Sequence, residues 1–173
     1  MVDGEGKYMD NALVTELYER FANDVLRVSY FYLGNREQAE DVMQETFIRL
    51  MRKNPSLETG KEKAWLLTVA LNLCRDHWRS GWVKRVLMGD KALEMIPDHD
   101  SEIDRRIEKQ ALMQAVHTLP PDTREVFLLY YYQNFSIEEI AAMLNAAPGT
   151  IASRLSRGRA KLKVLLAEGN EET

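Results

Sequence analysis

Residues 119–162 read LPPDTREVFLLYYYQNFSIEEIAAMLNAAPGTIASRLSRGRAKL, and the second half of this stretch decides the fold. Ser136 can cap a short helix, with Glu139 at its third position completing a capping box. That helix ends near Leu144. Residues 145–147 are long enough only for a tight turn. Pro148 suits the first position of a last helix, running to about Leu166, because a missing N–H costs nothing there. A short helix, a three-residue turn and a longer helix is the spacing of a helix-turn-helix. At about 100° per residue, Ile151, Leu155, Gly158 and Leu162 share one face, to pack on Ile137, Ile140, Ala141 and Leu144. Thr150, Ser153, Ser156 and Arg157 point roughly the other way. Arg154, Arg159, Lys161 and Lys163 flank them. From Pro148 to Lys163 there are five basic residues and no acidic one. Hydroxyls and a forked guanidinium facing base edges, with cations over phosphates, is the chemistry of groove reading. A solvated basic face on an ordinary bundle helix is the competing reading.

Moving outward, the rest also reads as helix. Pro120 and Pro121 open a helix to about Asn134, and Ser101 starts another to about Thr118. Upstream, Asn11 can cap a helix from Ala12 to about Leu33, with Leu13, Leu17, Phe21, Val25 and Val28 on its inner stripe. Gly34 stops it. Asn35 caps a second helix to about Lys53, with Gln38 at its third position and with Ala39, Val42, Met43, Phe47 and Leu50 inward. Pro55 and Gly60 bracket a loop. A third helix runs from about Glu62 to Arg79, with Trp65, Leu66, Val69, Leu73 and Cys74 inward. The stretch from Gly81 to Ser101 is the least regular and reads as a linker. The expected fold is all-α: an N-terminal three- to four-helix bundle (11–82), a linker (83–104) and a C-terminal helix-turn-helix domain (105–167). Residues 1–10 and 168–173 are expected to be disordered or frayed.

Composition narrows the chemistry. The 173 residues are 45% apolar and 29% charged, enough to build a core. One Cys excludes a disulfide framework and a multi-thiolate zinc site. His77, His99 and His117 have no ligand spacing, so no metal or other cofactor is expected. No apolar run reaches the ~18 residues of a membrane span, and the N-terminus has no signal-peptide core. The expectation is a cytoplasmic protein. No carboxylate pair, activated nucleophile or phosphate-cradling Gly-rich loop stands out, so neither an enzyme nor a small-molecule substrate is expected. The net charge of −4 argues against general nucleic-acid binding, yet Arg75 to Arg85 holds four bases and one acid. There the bases alternate with Trp78 and Trp82, a pattern suited to unpaired DNA as well as to simple packing. Glu37, Glu40, Asp41, Gln44 and Glu45 make an acidic, amide-bearing face that would repel DNA and attract a basic protein.

Three blocks resemble the extracytoplasmic-function (ECF) group of bacterial sigma-70 transcription initiation factors. They are AEDVMQETFIRL (Ala39 to Leu50), AWLLTVALNLCRDHWR (Ala64 to Arg79) and the Leu119 to Leu162 block quoted above, and the likeness covers roughly Leu17 to Lys163. The resemblance implies that Asp41, Gln44, Glu45, Thr46 and Phe47 lie at positions that bind, or support binding to, the β′ clamp coiled coil of core RNA polymerase. It implies that the loop Asn54 to Lys63, with Asn72, Arg75, Asp76 and Arg79, recognises and opens the −10 element. It assigns the −35 element to Thr150, Ser153, Arg154, Ser156 and Arg157, with Arg159 and Lys161 alongside. The implied partners are core polymerase (β′ clamp and β flap), promoter DNA and an anti-sigma factor, which could hold the protein near a membrane. Ala152 departs from the family, which often has Lys or Arg there, and Pro148 stiffens the turn. The remaining alternatives are a polymerase-independent helix-turn-helix regulator, with the N-terminal helices used for dimerisation, and a helical protein-interaction module.

Overall fold

The computed structural model describes residues 8–88 and 111–169. The described residues are helical, with no strand among them. Three helices form the N-terminal bundle: α1 (Asn11–Leu33), α2 (Arg36–Lys53) and α3 (Glu62–Met88). After them come α4 (residues 111–117), α5 (Pro121–Phe127), a π-helical turn (Leu128–Tyr132), α6 (Ile137–Leu144) and α7 (Pro148–Gly169). The part of the expected linker and helix start at 89–110, and the tail at 170–173, lie outside the described residues.

Local chemistry places the N-terminal boundaries. Asp10, not Asn11, caps α1: its Oδ1 accepts from the Ala12 N–H at 3.2 Å. Gly34 adopts φ 68°, and its N–H donates to the Tyr30 carbonyl at 2.7 Å, which turns the chain into α2. Asn35 caps α2 as expected, accepting from Gln38 N–H at 2.9 Å. The expected inner stripe of α1 is corrected at one end, because Leu13 is exposed. Each i to i+4 step drifts by about 40° around a helix. Leu13 therefore sits at the stripe's edge, and Val14 packs on the core instead.

Helix α3 runs past Arg79 through Gly81 to Met88. A single helical glycine costs only about 1 kcal/mol, too little to end a helix whose other residues favour it. Its buried side is also broader than the expected one. Leu66, Leu67, Ala70, Leu71, Leu73 and Cys74 are buried, whereas Trp65 and Val69 are half-buried.

The helix expected from Pro121 to Asn134 instead widens at Leu128. Gln133 N–H reaches back five residues to the Leu128 carbonyl at 3.1 Å, and Asn134 at φ 60° closes the turn. This extra residue turns Leu128 and Leu129 inward and leaves Tyr131 outside. The capping box forms as expected: Ser136 Oγ accepts from Glu139 N–H at 3.1 Å, and Glu139 Oε2 accepts from Ser136 N–H at 2.7 Å. On α7, Ile151, Leu155, Gly158 and Leu162 are all buried. Gly158 lets α7 lie against α5: a Cβ there would fall 2.7 Å from the Phe127 ring and 3.0 Å from Thr123 Cγ2.

The two halves touch through polar side chains and one pair of aromatic rings. Arg124, buried on α5, donates to the Tyr32 carbonyl of α1 and to the carbonyls of His117 and Leu119. Tyr32 carries one of the last four carbonyls of α1, which have no partner within their own helix. The guanidinium thus satisfies the C-terminal end of α1 and the end of α4 together, where helix dipoles favour a cation. Gln133 donates to Asp24 at 3.3 Å, and the Phe31 and Tyr132 rings meet edge to face at 4.9 Å.

Candidate polymerase and DNA interfaces

The first site lies on α2. Asp41 and Gln44 are exposed, and Glu45 is half-exposed, held by Arg49 at 3.0 Å. Thr46 is buried, its hydroxyl donating to the Val42 carbonyl at 2.7 Å. Phe47 is also buried, with its ring 4.9 Å from that of Tyr18 on α1. The five sequence-derived residues therefore divide: three face outward and two hold the helix in place. Beside them is an open, mostly apolar groove of about 390 Å³ lined by Val14, Thr15, Tyr18, Gln44, Phe47, Ile48 and Met51. Tyr18 and Ile48 expose 44% and 38% of their surface, which leaves a greasy strip next to the carboxylates. The contribution of α1 to this site escaped the sequence reading. Its signal was Tyr18, an aromatic just off the inner stripe.

The second site is on α3. Asn72, Asp76 and Arg79 are exposed and Arg75 is half-buried. Asn72 Oδ1 accepts from Arg75 Nη1 at 2.5 Å, so one member of the set orients another. Arg75 Nε also donates to Glu125 Oε2 on α5 at 2.8 Å. Burial raises the Glu125 carboxyl above its ordinary pKa, with Arg75 and Arg154 pulling the other way. The loop before α3 is shaped by Asn54 at φ 40° and Gly60 at φ 87°. Glu62 Oε2 accepts from the Gly60 N–H at 2.8 Å. Trp78 is half-buried and packs on the core.

The third site is α7. Thr150, Ser153, Ser156, Arg157, Arg159 and Lys161 are exposed, and Arg154 is half-buried. The cations occupy two flanks of the hydroxyl-bearing face. Arg154 pairs with Asp122 at 3.5 Å, and Lys161 donates to the Thr118 carbonyl at 3.1 Å. Across the face, Arg159 donates to the Tyr131 hydroxyl at 3.0 Å, which favours the charged guanidinium. Tyr131 and Asp122 hold the side chains of Arg159 and Arg154. The sequence reading missed both, because the π-helical turn that aims Tyr131 has no pattern in a run of three tyrosines.

Two segments of the chain match known families. The model of sigma-70 region 2 matches residues 17–83, and that of sigma-70 region 4 matches residues 109–162. ECF RNA polymerase sigma factor SigM of Bacillus subtilis is 31% identical over 167 residues, covering 92% of this chain and 99% of SigM. The chain belongs to the ECF sigma factors. The corresponding SigE of Mycolicibacterium smegmatis is 33% identical over 162 residues, and the match spans 91% of this chain but only 63% of SigE. Among solved structures, the sigma factor RpoE in complex with the anti-sigma factor NepR from Bartonella quintana has a TM-score of 0.72. It is 27% identical, and the match covers 88% of this ECF sigma factor and 96% of RpoE. CnrH, solved with the cytosolic domain of CnrY, shares the fold with a TM-score of 0.69 at 22% identity, over 92% of this chain and 90% of CnrH. Among the described residues of this sigma factor, no helix is long and apolar enough to cross a membrane, and no cluster of His, Cys, Asp or Glu could hold a metal.

Proposed function

We propose that this ECF sigma factor binds core RNA polymerase through α2 and the α1–α2 groove, and carries two DNA-reading helices to a promoter. It acts by binding, without catalysis of its own. The observation that carries the reading is the separation of chemistries: carboxylates and an apolar groove on one face, and the acid-free cationic stretch of α7 from Pro148 to Lys163 on another. Asp41, Gln44 and Glu45 offer acceptors to a basic coiled coil, while the exposed Tyr18 and Ile48 supply burial at about 25 cal/mol per Å² of apolar area covered. Asn72, Arg75, Asp76 and Arg79 would read and open the −10 element together with the loop at 54–63. Thr150, Ser153, Arg154, Ser156 and Arg157 would read the −35 element, with Arg159 and Lys161 on phosphates. The functional units are taken as 11–82 and 105–167, joined by 83–104, into which α3 continues as far as Met88. The protein acts in the cytoplasm, where polymerase and promoter are. The likeness to RpoE solved with NepR supports control by an anti-sigma factor.

The test is transcription from fragmented genomic DNA with purified core polymerase, with and without this chain, followed by sequencing of RNA 5′ ends. Defined starts sharing paired −35 and −10 elements are the expected result. Asp41→Lys should abolish both core binding and starts. Core binding unchanged by Asp41→Lys would remove the clamp assignment.

A further inference from the structure

Arg159 and Tyr131 meet where α7 passes the π-helical turn, and the hydrogen bond between them has a direction. Arg159, exposed on α7, donates from Nη1 to the Tyr131 hydroxyl at 3.0 Å. A guanidinium carries five N–H donors and no acceptor. The Tyr131 O–H therefore cannot give its proton back to Arg159 and is left to donate elsewhere. Accepting from a cation also makes that hydroxyl a stronger donor. The positive charge stays intact, because the group that holds it is neutral. Arg154 differs, since it is paired with the Asp122 carboxylate. The tyrosine ring is fixed on two sides, its centroid 4.7 Å from that of Phe127 and 4.9 Å from that of Tyr130. Phe127 in turn packs close to Gly158, the residue before Arg159. The π-helical turn supplies the aim, leaving Tyr131 48% exposed while Leu128 and Leu129 turn inward. Ring packing alone would be served by phenylalanine. An exposed hydrogen bond adds little to stability, because water replaces it almost as well. The hydroxyl is thus better placed to serve a ligand than the fold.

We propose that Tyr131 contacts the DNA backbone at the −35 surface, forming with Arg159 a two-residue site for one phosphate. One non-bridging oxygen accepts from Arg159 and the other from the Tyr131 O–H. A charge-assisted donor beside a neutral one suits an anion with two acceptor oxygens. The duplex is the source of that anion because of where the pair sits. Arg159 follows Ser156 by three positions, at the edge of the hydroxyl-bearing face and within the acid-free stretch from Pro148 to Lys163. Tyr131 lies before α6, outside the helix-turn-helix, so the phosphate is gripped from two elements at once. Such a grip fixes the register of α7 over the base edges and carries no sequence information of its own. The inference rests on the −35 reading of α7, under which Arg159 meets a phosphate.

The experiment uses holoenzyme assembled from core polymerase and the full chain, with a promoter fragment recovered by the start-site sequencing above. Binding is measured to the native fragment, to the fragment with its −35 bases scrambled, and to a fragment cut short so that it lacks the −35 duplex. Tyr131→Phe keeps both ring contacts and removes only the hydroxyl. It should weaken binding to the native and scrambled fragments by the same factor, about three- to tenfold, and leave the shortened fragment unaffected. Arg159→Ala should weaken the same two fragments. Adding Tyr131→Phe to Arg159→Ala should then cost less than about twofold more, because both groups act on one phosphate. Unchanged binding by Tyr131→Phe, while Arg159→Ala weakens it, overturns the Tyr131 contact alone. Additive losses would give the two residues separate ligands and overturn the shared site. A Tyr131→Phe holoenzyme that loses its preference for the native over the scrambled −35 bases would mark Tyr131 as a prop for α7, and also overturns it. An Arg159→Ala holoenzyme that binds as well as its parent instead removes the phosphate assignment of Arg159, and the two-residue site with it.

Discussion

Arg124 is the residue on which most of the fold converges. Its guanidinium is 4% exposed and serves three carbonyls from two different helix ends. A Lys ammonium is a point charge without the planar fork, so Arg124→Lys would leave at least one carbonyl unserved. We expect Arg124→Lys to cost roughly 1–3 kcal/mol and Arg124→Ala more, read as urea midpoints. At Gly158 the constraint is steric. A methyl group would meet the buried Phe127 ring at 2.7 Å, and that ring is packed on both α7 and Tyr131. Gly158→Ala should destabilise the chain by about 1–3 kcal/mol and tilt α7, weakening −35 binding in a duplex-binding titration. Cys74 marks the opposite case. Burial pushes its thiol up to about 12, so the nucleophilic thiolate is absent at neutral pH. Iodoacetamide should label it only after denaturation; rapid labelling of the native chain would contradict its burial. The inward place of Cys74 was legible from helical spacing. The role of Arg124 was not, because a buried arginine looks like a surface one until the carbonyls around it are known.

At the scale of elements, what could be read were the boundaries that short-range chemistry decides. The capping box at Ser136 and Glu139, the stop at Gly34 and the turn at 145–147 each depend on residues within four positions of one another. The misses depend on distant partners. Leu13 was placed inward by its period, but the packing partner begins one position later. The π-helical turn at Leu128–Tyr132 is stabilised by contacts that the tyrosine run does not announce, such as Phe31 against Tyr132. The cap of α6 also makes a titration prediction. The Glu139 carboxylate accepts the Ser136 N–H, and this hydrogen bond lowers its pKa below the ordinary carboxylate value. A depressed folded pKa means the contribution is present above the unfolded pKa and is lost as pH falls through the folded one. NMR titration should find Glu139 below the ordinary carboxylate value. Ser136→Ala keeps that backbone donor and removes only the smaller hydroxyl contribution, so Glu139 should stay lowered while the start of α6 loses protection from hydrogen exchange.

For the whole molecule, the decisive quantity is where charge sits, since the total of −4 says the opposite of the function. Glu37, Glu40, Asp41 and Glu45 share one face of α2, Asp122 and Glu125 lie on α5, and bases outnumber acids on α3 and α7. The basic faces of α3 and α7 were legible, since composition and helical spacing are local. The opposition of α5 to Arg75 was not, because Arg75 and Glu125 are 50 residues apart in sequence. The electrostatic consequence is measurable. Each phosphate neutralised on duplex DNA contributes about −0.9 to the slope of log K against log salt. If Arg154, Arg157, Arg159, Lys161 and Lys163 all reached phosphates the slope would approach about −4.5, but Arg154 is already paired with the Asp122 carboxylate, and Arg159 and Lys161 donate to the Tyr131 hydroxyl and the Thr118 carbonyl. The free chain should therefore show a slope nearer about −2 to −3 on duplex DNA. Asp122→Asn, which releases Arg154 without adding a charge, should steepen it by about 1, whereas Arg159→Ala should flatten it by a similar amount. Once polymerase holds both reading helices over one promoter, each binds at high effective concentration, and weak individual sites suffice. Asp122→Asn should accordingly change the affinity of the free chain several-fold while leaving the salt dependence of polymerase-bound open complexes nearly the same. An equal shift in both would mean that Asp122 still holds Arg154 in the initiating complex.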